Sequence, residues 1–313
     1  PDMVVMRTPV TLRGQNLHTV AEFESIEGET IPFVLTHGPS HHSPPAAVDP
    51  LTALSDTEKF WTSWASRCDS MGKWSEDVVR SLITLKALTY APTGGIVAAP
   101  TTSLPEQRGG TGNWDYRFCW LRDATQTLLA LRNAGYHDEA GAWRNWLLRA
   151  AAGSPSQLQI MYGLAGERRL TEYAIPWLPG YERSAPVRIG NAAHEQLQLD
   201  VFGEMMDALH QARRGRLQSD DADWGFQRAV LKHLESVWDK PDHGIWEVRG
   251  EPQHFTYSKV MAWVAFDRGI KPAEAFSLSG PIDRWRNIRS TLQREICTRG
   301  FDPGLGSFVQ AYG

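Results

Sequence analysis

The sequence GNWDYRFCWLRD, residues 112–123, leads directly from a loop into a helical pattern. Four apolar residues continue at spacings of three or four positions: Leu121, Ala124, Leu128 and Leu131. This periodicity predicts a helix over 119–134 with one buried face. Aromatic and charged residues fill the loop before it. The chain therefore predicts a chemically dense loop at the start of a core helix.

Helical patterns of the same kind recur along the chain, separated by Gly- and Pro-rich breaks. We expect helices at 73–90, 119–134, 137–151, 192–213, 219–238, 255–268 and 281–298. The connections 91–118 and 152–191 far exceed the usual loop of about 4–6 residues. Because both contain Tyr, Trp and Arg, we expect them to build a site on a mainly α scaffold.

The first 45 residues have the pattern of strands rather than helices. Short β-rich runs occur at Met3–Met6, Val10–Leu12 and Ile31–Leu35. The breaker cluster His37–Pro45 follows them and predicts a domain edge. Ser55 and Glu58 then fit a capping box, which predicts a helix start there and a helix towards Cys68.

Composition narrows the class of function. The 313 residues carry a formal charge of −4, which argues against a nucleic-acid partner held on a basic face. No apolar run approaches the roughly 20 residues of a membrane helix, so no membrane partner is expected. Three cysteines, Cys68, Cys119 and Cys297, form no disulfide framework, which predicts a cytoplasmic location. The 13 tryptophans favour a carbohydrate ligand, because an indole offers a flat apolar face with a donor at its edge.

The segment 112–123 combines groups that a sugar needs. Arg122 offers a fork of donors and Asp123 offers acceptors beside it, which suits vicinal hydroxyls. Tyr116 and Trp120 would add apolar contact. The same residues also fit a buried Arg–Asp pair among core aromatics, and their spacing does not choose between the two interpretations.

The segment GIWEVRG, residues 244–250, holds one carboxyl between Trp246 and Val248. Burial of Glu247 in this apolar setting would raise its pKa, because burial disfavours the charged form. A raised pKa keeps a general acid protonated near neutral pH. The alternative is an exposed glutamate at a strand edge, paired with Arg249.

The segment RIGNAAHEQLQLD, residues 188–200, places polar side chains at a predicted helix start. Asn191 is expected to cap that helix. His194, Gln198 and Asp200 cannot share one helical face, so we expect some of them to be solvated. Structural and functional interpretations both stay open for this segment.

Taken in order, the blocks of this chain resemble the bacterial glucoamylase and trehalase-like members of glycoside hydrolase family 15. The blocks that carry the resemblance are Gly95–Glu106, Asn113–Asp123, Gln159–Gly163, Trp177–Tyr181, Val187–Gly203, Gly244–Glu247 and His254–Asp267. One such block alone is a weak signal, whereas so many in the right order are specific.

The resemblance implies a β-sandwich domain joined by a linker to an (α/α)6 catalytic barrel. For this chain it implies the end of the sandwich at 1–45, a linker with a helix at 46–72, and the N-terminal half of the barrel at 73–313. The predicted helices supply about six or seven of the twelve that such a barrel needs. The expectation is therefore a partial (α/α)6 barrel in a chain truncated at both ends relative to the family.

The resemblance also assigns roles to residues. The implied sugar-binding residues are Tyr116, Trp120, Arg122, Asp123, Trp177, His194, Gln196 and Trp246. Among them, Arg122 and Asp123 would hold hydroxyls of the terminal glucose. The resemblance implies that Glu247 is the general acid. No cofactor is implied, and no metal is expected, because the histidines of the Pro-rich stretch 37–45 lack rigid geometry.

The chemistry implied is inverting, exo-acting hydrolysis of an α-glucoside, an oligosaccharide or trehalose, with release of glucose. A second carboxylate would activate water on the opposite face, about 6.5–9.5 Å from the acid. In the family that base lies further downstream than this chain extends. We therefore expect it to be missing here, with the rest of the barrel in a second chain or in a removed segment.

Two alternatives stay open at this level. A missing base would also suit a non-catalytic carbohydrate-binding or interaction module derived from such an enzyme. A lyase could use His254 or Tyr257 as its base, but it would leave the Arg122–Asp123 block unexplained. The residues do not specify whether the linkage is α-1,4, α-1,6 or α,α-1,1.

Overall fold

The computed structural model describes residues 2–69, 72–214 and 221–312. The chain divides into two compact units, Pro1–Arg67 and Cys68–Gly313. The larger unit contains the whole hydrophobic core cluster, from Ile96 to Ile296.

The smaller unit holds four short strands and one helix. Its elements are β1 (Asp2–Arg7), β2 (Arg13–Gln15), β3 (His18–Val20), β4 (Val34–Pro39) and α1 (Pro50–Ala65). β1 pairs antiparallel with β4, and β2 pairs antiparallel with β3. The strand expected at Val10–Leu12 is wrong, because the extended pairing begins at Arg13 instead. Asn16 and Leu17 both have positive φ and close a tight hairpin there.

α1 begins earlier than the capping box predicts. The side chain of Asp49 accepts a hydrogen bond from the backbone N–H of Thr52 at 2.8 Å, and Pro50 occupies the first turn. An aspartate cap followed by proline is a strong helix start, because proline loses no hydrogen bond at this position. Ser55 and Glu58 therefore lie inside the helix, and the cap expected at Ser55 is wrong.

The described part of the larger unit contains seven α-helices. They are α2 (Ser75–Ala87), α3 (Leu121–Asn133), α4 (His137–Ala150), α5 (Asp200–Arg214), α6 (Asp221–Leu234), α7 (Thr256–Ala275) and α8 (Ile282–Arg299). Each overlaps a predicted helix, although residues 219 and 220 of the helix expected at 219–238 lie outside the described residues. α7 continues past the predicted end at 268, with Pro272 in its last turns.

The helix expected over 192–213 begins only at Asp200. Asn191 does act as a cap, since its side chain accepts from the backbone N–H of Ala193 at 3.0 Å. It caps a single 3-10 turn, Ala192–Glu195, after which the backbone is extended at Gln196. Local sequence identified the cap correctly but not the length of the helix that follows it.

Short antiparallel pairs connect the helices. Their strands are β5 (Thr89–Tyr90), β6 (Gly95–Ile96), β7 (Cys119–Trp120), β8 (Met161–Tyr162), β9 (Tyr173–Ile175), β10 (Val187–Ile189), β11 (Phe301–Asp302) and β12 (Ser307–Phe308). Each pairs with its neighbour in the chain: β5 with β6, β7 with β8, β9 with β10, and β11 with β12. The pairing of β7 with β8 leads directly into α3 and fixes the start of that helix.

The helices of the larger unit alternate between two layers. α3, α5 and α7 pack against one another in sequence, and each also packs against the helices before and after it in the chain. This alternation of inner and outer helices is the layout of an (α/α) barrel, and it confirms the expected partial (α/α)6 fold. Among the described helices, none is both long and apolar enough to cross a membrane.

Candidate active site

The candidate site forms where α3 and α5 begin. Trp120 and Arg122 stand at the start of α3, and Asp200 is the first residue of α5. The Arg122 side chain reaches across to Asp200, with Nη1 at 3.0 Å from Oδ2. Because inner helices of this layout run in the same direction, their N-terminal ends collect at one end of the barrel.

Glu247 meets these helix ends from a turn rather than from a strand. Its side chain is 19% exposed. Its Oε1 accepts a hydrogen bond from the indole Nε1–H of Trp120 at 2.5 Å, across 127 residues of sequence. The alternative of an exposed glutamate paired with Arg249 does not hold, since Arg249 donates to Glu172 at 2.9 Å.

The surroundings of Glu247 favour its protonated form. Burial raises the pKa of this carboxyl, and the negative charges of Asp123 and Asp200 raise it further. The Trp120 hydrogen bond and the Arg122 guanidinium act in the opposite direction and do not cancel the effect of burial. A carboxyl with this balance can hold a proton closer to neutral pH than an ordinary glutamate.

Arg122 is the charged centre of the site. It is ion-paired with Asp200 inside the protein and lies 3.6 Å from Glu247 Oε1, measured from Nη2. Its neighbour Asp123 lies 3.9 Å from Nε, and the side chain of Asp123 is 52% exposed. The buried Arg–Asp pair therefore exists, but its acid is Asp200. Asp123 is left facing the cavity with its acceptors accessible.

A cavity of about 480 Å³ lies in front of these groups. It is lined by Ala98, Glu106, Trp114, Tyr116, Trp120, Arg122, Asp123, Asn191, Ile245, Trp246, Glu247 and Arg249. This volume falls within the usual range for small-molecule sites, about 300–1,000 Å³. Several of the lining residues come from the long connection 91–118, so that loop does build a site as its composition predicted.

Aromatic side chains form the apolar wall of the cavity. The rings of Tyr116 and Trp120 lie with their centroids 5.5 Å apart. Trp246 is 75% exposed at the rim. Trp114 differs, because the guanidinium groups of Arg188 and Arg249 lie over its ring at 4.6 and 4.8 Å.

Three predicted sugar-binding residues do not line the cavity. Trp177 is 77% exposed and does not line the cavity. His194 is partly buried, with Nδ1 at 2.9 Å from the carbonyl oxygen of Asn191. Gln196 donates to the backbone carbonyl of Val248 at 3.1 Å, directly after Glu247. The side chain of Gln196 therefore contacts the backbone beside Glu247 from outside the cavity. Trp177 and His194 also lie outside the cavity.

Sequence reasoning missed the roles of Gln198 and Asp200. The expectation that some of His194, Gln198 and Asp200 are solvated is wrong, because Gln198 is 2% and Asp200 0% exposed and His194 is partly buried. That expectation assumed a helix, whereas the segment is extended before α5. The alternation of polar and apolar residues in QLQLD, residues 196–200, is the signal that could have indicated it.

Among the residues that the structure describes, no group of three or more His, Cys, Asp or Glu side chains is arranged to hold a metal ion. Of the histidines in the Pro-rich stretch 37–45, His37 has Nε2 at 3.2 Å from Asp2 Oδ1. The rings of His41 and His42 meet edge to face. The polar groups that line the candidate site are carboxylates, indoles, a phenol, an amide and two guanidinium groups, which together offer the acceptors and donors of polyol recognition.

Comparisons with known proteins agree with this geometry. A trehalase of Mycolicibacterium smegmatis is 40% identical over 291 residues, which are 92% of this chain and 43% of that protein. A trehalase of Thermoplasma acidophilum is 36% identical over 306 residues, 98% of this chain and 52% of that protein. The chain thus spans about half the length of the curated relatives it matches.

A solved structure described as "Glycosidase E335A in complex with glucose" shares the fold, with a TM-score of 0.57 at 16% identity. It covers 78% of this chain, which corresponds to 62% of that protein. Residues 72–313 match the sequence profile of Glycosyl hydrolases family 15, the same stretch that forms the helical layers and the cavity. With this match, the ordered sequence blocks and the barrel layout, the chain belongs to glycosyl hydrolase family 15.

Proposed function

We propose that this chain carries the general acid and the terminal-glucose site of an inverting, exo-acting α-glucoside hydrolase. The observation that carries the proposal is Glu247, a mostly buried carboxyl whose pKa is raised by burial and which opens onto a cavity beside Trp120 and Arg122. A glycosidase acid needs this combination, because it must hold a proton and still reach the glycosidic oxygen.

In this mechanism Glu247 protonates the glycosidic oxygen as the bond to the leaving sugar breaks. Asp123 accepts from hydroxyls of the terminal glucose, and Arg122 donates to them from the other side. Tyr116 and Trp120 contact the apolar face of the ring. Trp246 stands at the rim, where the leaving sugar departs. These assignments match the hydroxyls of the sugar to Arg122 and Asp123 and its apolar face to the aromatic wall.

The attacking water needs a base on the opposite face, about 6.5–9.5 Å from the acid. The other carboxylates that line the cavity have other partners: Asp123 stands beside Arg122, and Glu106 accepts from the Trp114 indole at 3.0 Å. We propose that the base, with the rest of the barrel, is supplied by a segment outside these 313 residues. The proposed division is a sandwich end at 1–45, a linker at 46–72 and a barrel half at 73–313.

We propose trehalose as the first substrate to test, since the relatives matched over most of the chain are named trehalases. Glucoamylase-type α-1,4 and α-1,6 oligosaccharides are the comparison substrates. A cytoplasmic location is part of the same proposal, and it rests on three cysteines that are all free thiols.

The experiment compares wild type with Glu247→Gln, which keeps the shape of the side chain but cannot donate the proton. Glucose release from trehalose is measured in the form that hydrolyses it, either this chain alone or this chain together with the segment that supplies the base. We expect turnover to fall at least about 100-fold, the usual contribution of acid–base catalysis. Calorimetric titration with glucose should show binding retained.

Glu251→Gln is the matched control, because Glu251 is exposed and does not line the cavity. It should leave turnover unchanged. Unchanged turnover in Glu247→Gln would remove the acid from this position. Sugar binding without turnover in every form tested would instead favour the non-catalytic carbohydrate-binding module.

A further inference from the structure

The segment Gln196–Asp200, which leads from the 3-10 turn into α5, has two different sides. On one side, Leu199 is 0% exposed in the core, and its backbone N–H donates to Asp242 at 2.8 Å. The carbonyl of Leu197 accepts from the backbone N–H of His243 at 3.0 Å. The side chains of Gln196, Gln198 and Asp200 lie on the other side, where hydrogen bonds link them to one another and to Arg122.

The side chains of that second side form a continuous chain of hydrogen bonds. Arg122 Nη1 donates to both Asp200 Oδ2 at 3.0 Å and Gln198 Oε1 at 3.1 Å. Gln198 Nε2 donates to Gln196 Oε1 at 3.2 Å. Gln196 Nε2 donates to the backbone carbonyls of Val248 at 3.1 Å and Glu247 at 3.4 Å. The guanidinium of Arg122 and the backbone of the acid are thus held by the same five residues of chain.

Gln198 and Asp200 do not touch the cavity. They are 2% and 0% exposed, and neither lines the cavity wall. Their side-chain hydrogen bonds run to Arg122 and to Gln196, so neither side chain would touch a bound sugar directly.

The position of Arg122 presents an electrostatic problem for the acid. A guanidinium within about 4–6 Å stabilises a carboxylate and weakens its hold on a proton. Arg122 lies 3.6 Å from Glu247, yet Glu247 must stay protonated to act. The two hydrogen bonds to Nη1 draw the guanidinium towards α5, and the carboxylate of Asp200 offsets its charge.

We propose that Gln198 and Asp200 are positioning residues that fix the Arg122 guanidinium beside α5, where the Asp200 carboxylate offsets its charge, so that the acid keeps its proton. The statement that Glu247 acts as an acid rests on the proposed function. The statement that these two residues control its ionisation does not. The charged and titratable groups that face Glu247 are Arg122 and Asp123 from α3, Asp200 from α5, and Tyr116, Glu106 and Arg249 from the cavity wall.

The ionisation of Glu247 can be followed without turnover. The indole Nε1–H of Trp120 donates to its carboxyl, so the ¹H–¹⁵N resonance of that indole should titrate with Glu247. The resonance is assigned by its loss in Trp120→Phe. Glu247→Gln should abolish its titration.

Two isosteric variants should move the titration midpoint in opposite directions. Asp200→Asn removes the negative charge that offsets Arg122, and this change favours the carboxylate of Glu247. We expect its midpoint to fall by about one pH unit. Gln198→Glu places a second carboxylate on Arg122, and we expect its midpoint to rise. Each variant is checked for folding by near-ultraviolet circular dichroism.

Asp207→Asn is the matched control, because Asp207 lies on α5 and also pairs with an arginine, Arg268. It should leave the midpoint unchanged. If either Asp200→Asn or Gln198→Glu leaves the midpoint at the wild-type value, or if both move it the same way, the positioning role is wrong. If only one of the two variants folds, the direction in which its titration midpoint moves is the test of the proposal. Failure of the proposed function would appear as lost sugar binding or absent hydrolysis and would leave this titration intact.

Discussion

The backbone of Glu247 has a left-handed conformation, with φ of 52°. Residues other than glycine rarely adopt this region, and the cost is of order 1–3 kcal/mol where surrounding contacts enforce it. Gln196 holds the carbonyl of Glu247, and the backbone N–H of Glu247 lies 3.4 Å from the carbonyl oxygen of Gly244. The strained turn aims the carboxyl at the Trp120 indole instead of solvent.

A second buried carboxyl, Glu204, sits one turn along α5 from Asp200. The hydroxyl of Tyr257 donates to Glu204 Oε1 at 2.6 Å and links α5 to α7. Burial raises the pKa of Glu204, and the Tyr257 hydrogen bond opposes that change. The hydroxyl of Tyr257 is therefore engaged with Glu204, and Tyr257 does not line the cavity in front of Glu247.

Tyr257→Phe should destabilise the protein more at pH 8 than at pH 5. The variant removes a donor to the charged form of Glu204, which raises the pKa of Glu204 further. A carboxyl with a raised pKa loses stability as pH rises, because the folded state then holds a charge it solvates poorly. We expect a loss of about 1–2 kcal/mol at pH 8 and a smaller loss at pH 5, measured by urea unfolding.

Tyr173→Phe serves as the comparison, since Tyr173 is 55% exposed on β9. Its unfolding free energy should match wild type at both pH values. Equal losses for Tyr257→Phe at pH 5 and pH 8 would show that the hydrogen bond is not coupled to ionisation of Glu204.

At the scale of elements, α7 and α8 share one buried carboxylate. Asp267 on α7 is 3% exposed and pairs with Arg268, with Lys271 at 2.8 Å and with Arg289 of α8 at 3.0 Å. Burial alone would raise the pKa of Asp267. The hydrogen bond and charge of Lys271, together with Arg268, hold that pKa below its usual range instead.

Asp267→Asn should lower the unfolding free energy by about 2 kcal/mol at pH 7, the usual cost of losing charge-assisted hydrogen bonds. A carboxyl with a lowered pKa stabilises the fold above its unfolded pKa and loses that contribution as pH falls through the folded pKa. The difference from wild type should therefore shrink as pH falls below about 4.

Denaturant unfolding from pH 3 to pH 7 measures this difference. Asp283→Asn, an exposed change near the start of α8, should cost little at any pH. A loss in Asp267→Asn that stays constant over the whole range would contradict the ion-pair account.

At the scale of the whole molecule, the reactivity of the buried Cys119 thiol can reveal opening of the barrel. It is 0% exposed in β7, and burial raises the pKa of its thiol to about 12. Cys297 on α8 is exposed, and Cys68 is partly buried. A buried thiol reacts slowly, because it must become both accessible and deprotonated.

Under native conditions at pH 8, a disulfide reagent should modify Cys297 quickly and Cys119 only as the barrel opens. The rate at Cys119 should rise with urea in step with global unfolding. Peptide mapping by mass spectrometry separates the three sites. Labelling of Cys119 as fast as Cys297 without denaturant would mean that the barrel opens locally at β7.

Much of the architecture follows from local pattern. Apolar residues at helical spacing predicted the seven α-helices in the described part of the larger unit, because an α-helix repeats its buried face within a few residues. The predicted helix boundaries were less accurate where the capping residue does not stand directly before the α-helix. Asn191, for example, caps a 3-10 turn, and α5 begins nine residues later, at Asp200. The pairing of β2 with β3 depends on a turn at Asn16 and Leu17, which a periodicity of apolar residues does not reveal.

The sequence by itself determined the family, the helical layers and the identity of the candidate acid, since these rest on ordered blocks and short-range spacing. Only the tertiary structure decided what surrounds that acid. Trp120 meets Glu247 across 127 residues, and Arg122 meets Asp200 across 78. These contacts depend on how the starts of α3 and α5 and the turn at Glu247 pack together. Local sequence patterns carry no information about that packing. The ionisation of Glu247 is therefore a property of the folded barrel.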